Sequence, residues 1–166
     1  MRILLTGKNG QVGGELNKIL TPFGEVTATG RNEMDLSEPN QIRQTIRRVR
    51  PELIINAGAY TAVDKAESEP ELAQAVNGIA PGILAEEASK LGAALIHYST
   101  DYAYSGEMRN DPYIESDLPA PISVYGKTKL EGDNAIEQSG VSYLIFRTSW
   151  VFGLGGKSFL KTILRL

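Results

Sequence analysis

The sequence predicts an α/β fold built on a doubly wound parallel sheet. Short apolar runs alternate with helical patterns along the whole chain. A glycine-rich turn follows the first of those runs, and small residues follow another. Both positions correspond to the carboxyl ends of parallel strands, where open α/β sheets bind their ligands. At 166 residues the chain is long enough for one domain with a substantial core. No repeat, low-complexity tract or linker divides it, so residues 1–166 read as one domain.

Composition narrows the class of function. A hydrophobic content of 42% and a charged content of 22% belong to a soluble globular protein. The net charge of -3 argues against nucleic acid or an anionic membrane as principal partner. Arg43, Arg47, Arg48 and Arg50 read as a solvated helix face. The absence of cysteine removes disulfides, thiol nucleophiles and thiolate metal sites, and it fits a reducing cytoplasm. The single histidine, His97, cannot build a His-rich metal site and sits in the apolar run Ala93–Tyr98, as a core or supporting residue would. No apolar run approaches the ~20 residues that span a bilayer. The N-terminus enters a strand pattern at once, which leaves no room for a signal peptide and points to the cytoplasm.

In chain order, Arg2–Thr6 is a buried strand, stopped by Gly7. Gly7-Lys-Asn-Gly10-Gln-Val-Gly13 follows, then Glu15–Leu20 at helical spacing. Strand, glycine turn and helix in that order are the context of a Rossmann-like dinucleotide site. Gly7 permits the tight turn, and Gly10 lets backbone approach a pyrophosphate. Gly13 lets the helix pack closely on the sheet. The spacing is G-x-x-G-x-x-G rather than G-x-G-x-x-G, and a plain glycine loop is the alternative.

Glu25–Thr29 is the second strand and ends in Gly30-Arg31-Asn32. An acidic residue near this point suits ribose hydroxyls, whereas Arg31 suits a 2′-phosphate and favours NADPH over NADH. The interval to Pro39 is too short for a crossover helix, so Met34-Asp35-Leu36 is expected as a short edge strand. Ser37 is expected to cap a helix that has Pro39 in its first turn and runs to Val49. Leu53–Asn56 is a buried strand whose end carries Ala57-Gly58-Ala59-Tyr60-Thr61, small enough for a cofactor to lie against the backbone. Residues 62–70 read as a polar loop. Pro70–Leu91 reads as one long helix kinked at Pro81, or as two helices.

Ala93–Tyr98 is the next strand and runs into Ser99-Thr100-Asp101-Tyr102. Residues 103–121 read as a long functional loop. It leads to a helix opened by Ser123 and continuing to about Gln138, with Gly140 as its stop. Ser142–Thr148 is a strand leading into Ser149-Trp150-Val-Phe152-Gly153, and Ser158–Leu166 has an apolar helical face with no stop signal, as a fragment of a longer chain would.

The helix at Ser123 places Tyr125 and Lys129 at i and i+4, on one face. A phenol beside a fixed ammonium gives up its proton more readily, as a group that protonates a carbonyl oxygen during hydride arrival must. The same pair is also an ordinary solvated helix feature. Its conjunction with the glycine turn and Thr100 at one sheet edge is the more specific signal.

Through Gly7-x-x-Gly10-x-x-Gly13, Asn56-Ala-Gly58 and Tyr125-x-x-x-Lys129, the chain resembles the extended short-chain dehydrogenase/reductase family. Further blocks are similar to members that reduce sugar nucleotides: Thr61–Pro70, His97–Tyr102, Val124–Leu130 and Phe146–Trp150. The resemblance implies hydride transfer from NADPH to C4 of dTDP-4-dehydro-L-rhamnose, giving dTDP-L-rhamnose, a precursor of cell-surface polysaccharide. It implies Tyr125 as proton donor, with Lys129 lowering its pKa and holding the nicotinamide ribose, and Thr100 in the place usually held by serine. It further implies Gly10, Gln11 and Val12 at the pyrophosphate, and Arg31, Asp35 and Leu36 around the adenosine. Ala59, Tyr60 and Thr61 line the cofactor cleft in this reading, while Asp101, Tyr102 and Trp150 face the sugar nucleotide. For Tyr102 and Trp150, packing is the competing role.

Family members run on past residue 166 into a smaller substrate domain, so this chain is expected to bind cofactor and to lack part of its substrate site. Some members dimerise through magnesium, but the carboxylates for that lie in the later portion. No metal is therefore expected here, and a homodimer only of a longer chain. Ala103-Tyr104-Ser105 departs from the usual residues after the Asp-Tyr pair. A sugar-nucleotide epimerase or dehydratase of the same family is one alternative, although a dehydratase places Asp-Glu where this chain has Asp101-Tyr102. A non-catalytic NADP-binding regulatory subunit is another.

Overall fold

A computed structural model describes residues 1–107, 111–153 and 159–164. Five parallel strands form one sheet: β1 (Arg2–Thr6), β2 (Glu25–Thr29), β3 (Leu53–Asn56), β4 (Ala94–Thr100) and β5 (Ser142–Thr148). Their order is β2-β1-β3-β4-β5. The chain therefore reverses its direction of travel between β2 and β3, which opens a crevice at the carboxyl end of β1. The period-2 alternation of a strand splits the apolar residues between two cores. Leu4, Ile54 and Leu95 pack with Ile42 and Ile46 of α2 (Pro39–Val49), Leu84 of α5 (Ala80–Leu91) and Ile136 of α6 (Val124–Gln138). Ile3, Leu5 and Ile55 face the other way, against Leu16 of α1 (Gln11–Ile19). Among the described residues, no helix is long and apolar enough to cross a membrane.

The strand and main helix positions agree with the sequence reading, with the following differences. Met34-Asp35-Leu36 is not a strand. Gly30 O accepts from the N–H groups of Glu33 and Met34, and the Asp35 carboxylate accepts from Ser37 N and Oγ, so the chain turns instead of extending. Met34 is tucked into the larger core at 2% exposure. For the same reason Ser37 does not cap α2: its hydroxyl is spent on Asp35, and Glu38 occupies the cap position without a side-chain bond.

The polar loop over 62–70 contains a one-turn helix, α3 (Val63–Ala66), seated by the fully buried Ala66. The stretch from Pro70 to Leu91 is continuous. It begins as α4 (Pro70–Ala73), widens to i→i+5 bonding over Gln74–Ile79, and resumes as α5. A proline removes one helical N–H and crowds the preceding turn, and the wide turn before Pro81 accommodates both. The expected terminal helix is seen as α7 (Phe159–Ile163); the rest of Ser158–Leu166 and residues 108–110 of the long loop lie outside the described residues.

Candidate active site

The turn after β1 is tight because Gly7 takes φ +71, a conformation favouring glycine, and a Cβ on Gly13 would meet Gly7 O at 2.1 Å. Helix α1 starts at Gln11, earlier than its apolar spacing suggested, so Gly13 sits in its first turn, buried against the loop rather than in the cleft. Gly10 occupies the cap position with no side-chain hydrogen bond. The first N–H groups of α1 thus face the cleft without a side-chain partner, at the positive end of the helix dipole. Those residues fit a pyrophosphate.

Two adjoining clefts run along the carboxyl edge of the sheet. The larger, of ≈ 650 Å³, brings Gly10, Gln11, Val12 and Thr61 together with Thr100, Asp101, Tyr102, Tyr125, Lys129 and Trp150. The smaller, of ≈ 290 Å³, is walled by Arg31, Asp35, Leu36, Ala59 and Tyr60, with Met34 and Val76 adding apolar surface. Gly7 and Ala59 border both. The groups inferred for the two halves of a dinucleotide therefore occupy two compartments of one groove. In the smaller one, Arg31 pairs with Asp35 at 2.9 Å while its side chain stays largely exposed.

The reactive end is assembled by close backbone contact. Ser123 caps α6 through a bond from Gly126 N to its Oγ (3.0 Å). A Cβ on Gly126 would lie 2.3 Å from Tyr102 O, so only glycine lets α6 rest against the single helical turn Asp101–Ala103. That contact sets the Tyr125 ring edge-on to Tyr102, with centroids 5.6 Å apart. Thr100 ends β4 almost buried and accepts from Tyr102 N (3.2 Å). Burial pushes the Tyr125 phenol above its ordinary pKa, and its hydrogen bond with Thr100 only partly opposes this.

The Lys129 ammonium lies on the sheet side of the cleft, away from the Tyr125 phenol. Lys129 is 1% exposed, and its ammonium lies against His97 Nε2 (3.0 Å) and the Tyr98 carbonyl (2.7 Å) instead of the phenol. Burial lowers Lys129 to about 8, with the Asp133 charge opposing. No lowering of Tyr125 by Lys129 is found, because the ammonium is held on the sheet side by those two acceptors.

Two supporting residues escaped the sequence reading. Asn77, buried in the wide turn before Pro81, accepts from Tyr60 N (2.9 Å) and donates to Tyr60 O (3.0 Å), fixing the cleft wall. Asp133, one turn beyond Lys129, is fully buried, and its Oδ2 accepts from Ser99 Oγ (2.8 Å) and Arg147 Nε (3.4 Å). A polar residue on the same face of α6 as Tyr125 and Lys129 was the available signal for Asp133. Trp150 adopts φ 48 at the cleft rim, a rare conformation for a bulky side chain and typical of functional sites.

Residues 1–166 match the family described as the RmlD substrate binding domain. The chain belongs to that family. Its RmlD-family relatives include the dTDP-4-dehydrorhamnose reductases of Escherichia coli K12, 48% identical over 170 residues, and of Burkholderia thailandensis, 46% identical over 166 residues. Each alignment covers 100% of this chain but only 56% and 55% of those relatives, so the chain spans about half their length. A solved dTDP-4-dehydrorhamnose reductase of Bacillus anthracis in complex with NADP superposes with TM-score 0.93 at 37% identity, over 99% of this chain and 58% of that one. A UDP-glucose 4-epimerase from Thermus thermophilus, at 23% identity and TM-score 0.79, shares the fold.

Proposed function

We propose that residues 1–166 form the NADPH-binding domain of a cytoplasmic reductase that converts the C4 keto group of dTDP-4-dehydro-L-rhamnose to the alcohol of dTDP-L-rhamnose. One observation carries the reading: Thr100, Tyr125 and Lys129 line the same cleft as the open N-terminus of α1. The kinship to dTDP-4-dehydrorhamnose reductases supports the sugar nucleotide, and the NADP complex of the Bacillus anthracis enzyme supports the cofactor. NADPH bound along the groove would supply the hydride. Gly10, Gln11 and Val12 then hold its pyrophosphate, and Arg31 favours its 2′-phosphate over the bare ribose of NADH.

Tyr125 hands its phenolic proton to the carbonyl oxygen as the C4–H bond forms, leaving an alcohol and a phenolate. Burial keeps the phenol protonated at neutral pH, and the more basic developing alkoxide draws the proton away. Thr100 orients the same carbonyl by a hydrogen bond, and Lys129 holds the nicotinamide ribose. Asp101, Tyr102 and Trp150 border the space left for the sugar. An elimination or epimerisation reading is less well supported, because Tyr102 stands where a dehydratase carries a glutamate.

The test has two parts. Calorimetric titration is expected to show NADPH binding more tightly than NADH; no binding of either would overturn the reading. NADPH consumption with dTDP-4-dehydro-L-rhamnose is expected to fall by ~10²–10⁴-fold in Tyr125→Phe with cofactor affinity retained. Unchanged turnover would remove Tyr125 from its role.

A further inference from the structure

Beneath the cleft lies a row of buried polar groups that the proposed reduction does not use directly. Gly58 N donates to Thr6 Oγ1 (3.0 Å), and Thr6 Oγ1 lies 2.6 Å from Asn56 Oδ1. Asn56 Nδ2 lies 2.9 Å from His97 Nδ1, and His97 Nε2 lies 3.0 Å from Lys129 Nζ. Asn56 and His97 are fully buried, and Thr6 and Lys129 are 1% exposed. Water therefore cannot repair a mismatched donor in this row.

The row has two polarities, because the oxygen and nitrogen of an amide occupy nearly the same space; in the first, Thr6 Oγ1 accepts from Gly58 N and donates to Asn56 Oδ1. With Asn56 Nδ2 donating to His97 Nδ1, a neutral ring carries its proton on Nε2. That proton faces Lys129, which can accept it only as a neutral amine. With the amide turned over, Asn56 Oδ1 accepts from His97 Nδ1–H and the bare Nε2 accepts from the Lys129 ammonium, while Asn56 Nδ2 donates to Thr6 Oγ1, whose own proton must turn out of the row. The two states differ by one proton, and that proton is on Lys129.

We propose that His97 is a positioning residue for Lys129, and that its ring changes tautomer, with the Asn56 amide reversing, when Lys129 gains or loses its proton. The assignment takes Lys129 as the lysine of the proposed reduction. The charged neighbours of this pair are few. On α6 they are Lys129 itself and Asp133, whose Oδ1 is 3.7 Å from His97 Nε2, too far to take its proton in a hydrogen bond. From β5, Arg147 reaches Asp133 rather than the ring. From β3, Asn56 is uncharged. Burial and the Lys129 charge hold the imidazole well below its ordinary pKa, so it stays neutral while it switches. The consequence for the reaction is a lysine held charged and fixed in place at neutral pH without a carboxylate partner that would bind it too strongly.

His97 is the one histidine of the chain, which makes its tautomer directly readable. Long-range ¹H–¹⁵N spectra of the unliganded chain are expected to show a neutral ring protonated at Nδ1 at pH 6.5. The ring is expected to pass to the Nε2–H form with the same midpoint as the Lys129 ε-resonance. In His97→Phe, Lys129 loses its acceptor, and its proton affinity is expected to fall about tenfold or more. In His97→Gln, whose carbonyl reaches the Nε2 position, the midpoint returns near the parent value. A ring protonated at Nε2 while Lys129 is charged, or a Lys129 midpoint unmoved in His97→Phe, overturns the assignment. Both readouts are taken without cofactor or substrate, so they stand or fall separately from NADPH binding and turnover.

Discussion

An ammonium at 1% exposure loses most of its hydration, and neither a backbone carbonyl nor a neutral imidazole fully replaces it. Lys129 therefore releases its proton near 8 in the folded chain but near its ordinary 10.5 when unfolded. Between those values the unfolded chain holds a proton that the folded chain lacks, so stability rises with pH through this window. Lys129→Met removes that dependence. Urea unfolding of the two proteins is expected to show their free-energy difference changing by roughly 3 kcal/mol from pH 8 to pH 10.5, in favour of the parent at the higher pH. Parallel curves would mean that Lys129 is not desolvated as described. The lysine is thus a position where stability is given up, as expected of a group kept for chemistry.

At the scale of elements, α2 and α5 are joined through one carboxylate. Glu87 of α5, 3% exposed, accepts from Arg47 Nε (2.7 Å) and Nη2 (2.9 Å), Arg43 Nη1 (2.9 Å) and Lys90 Nζ (3.0 Å). The Arg47 bond is the largest influence that brings its pKa to about 2, from 4.5. Because the folded value is the lower one, this stabilisation is present above 4.5 and is lost as pH falls toward 2. Glu87→Ala is expected to lower the unfolding free energy by about 2 kcal/mol at pH 7 and to flatten the acid limb between pH 4.5 and pH 2. Equal acid limbs in denaturant titrations would count against it. Two arginines that composition assigned to a solvated face thus clamp one helix to the next. That was not legible, because the partner lies far along the chain.

For the whole molecule, the sheet is covered unevenly. Helices α2, α5 and α6 cover one face, whereas β5, at the end of the described sheet, leaves Leu144 at 57% and Phe146 at 44% exposure. An exposed apolar stretch on an edge strand favours association between copies. Leu144→Lys is expected to leave the urea midpoint nearly unchanged while lowering light scattering at high protein concentration. A large fall in stability would instead show that Leu144 is packed.

Local information was enough for much of this protein. Strand and helix order, the glycine turn, the Ser123 cap and the Tyr125/Lys129 spacing depend on residues close in sequence, where side-chain period and capping act, and the structure keeps them. Residues 34–36 went wrong because one carboxylate, Asp35, could bond its own chain two residues on and turn it, a competition that periodicity does not record. Other features required the folded chain. Lys129 turns to His97 rather than Tyr125, Asn77 holds Tyr60 from within a widened helical turn, and Glu87 gathers Arg43 and Arg47 from another helix. Each is a contact between residues far apart in sequence, and its sign and strength come from burial, which exists only after the sheet has closed against its helices.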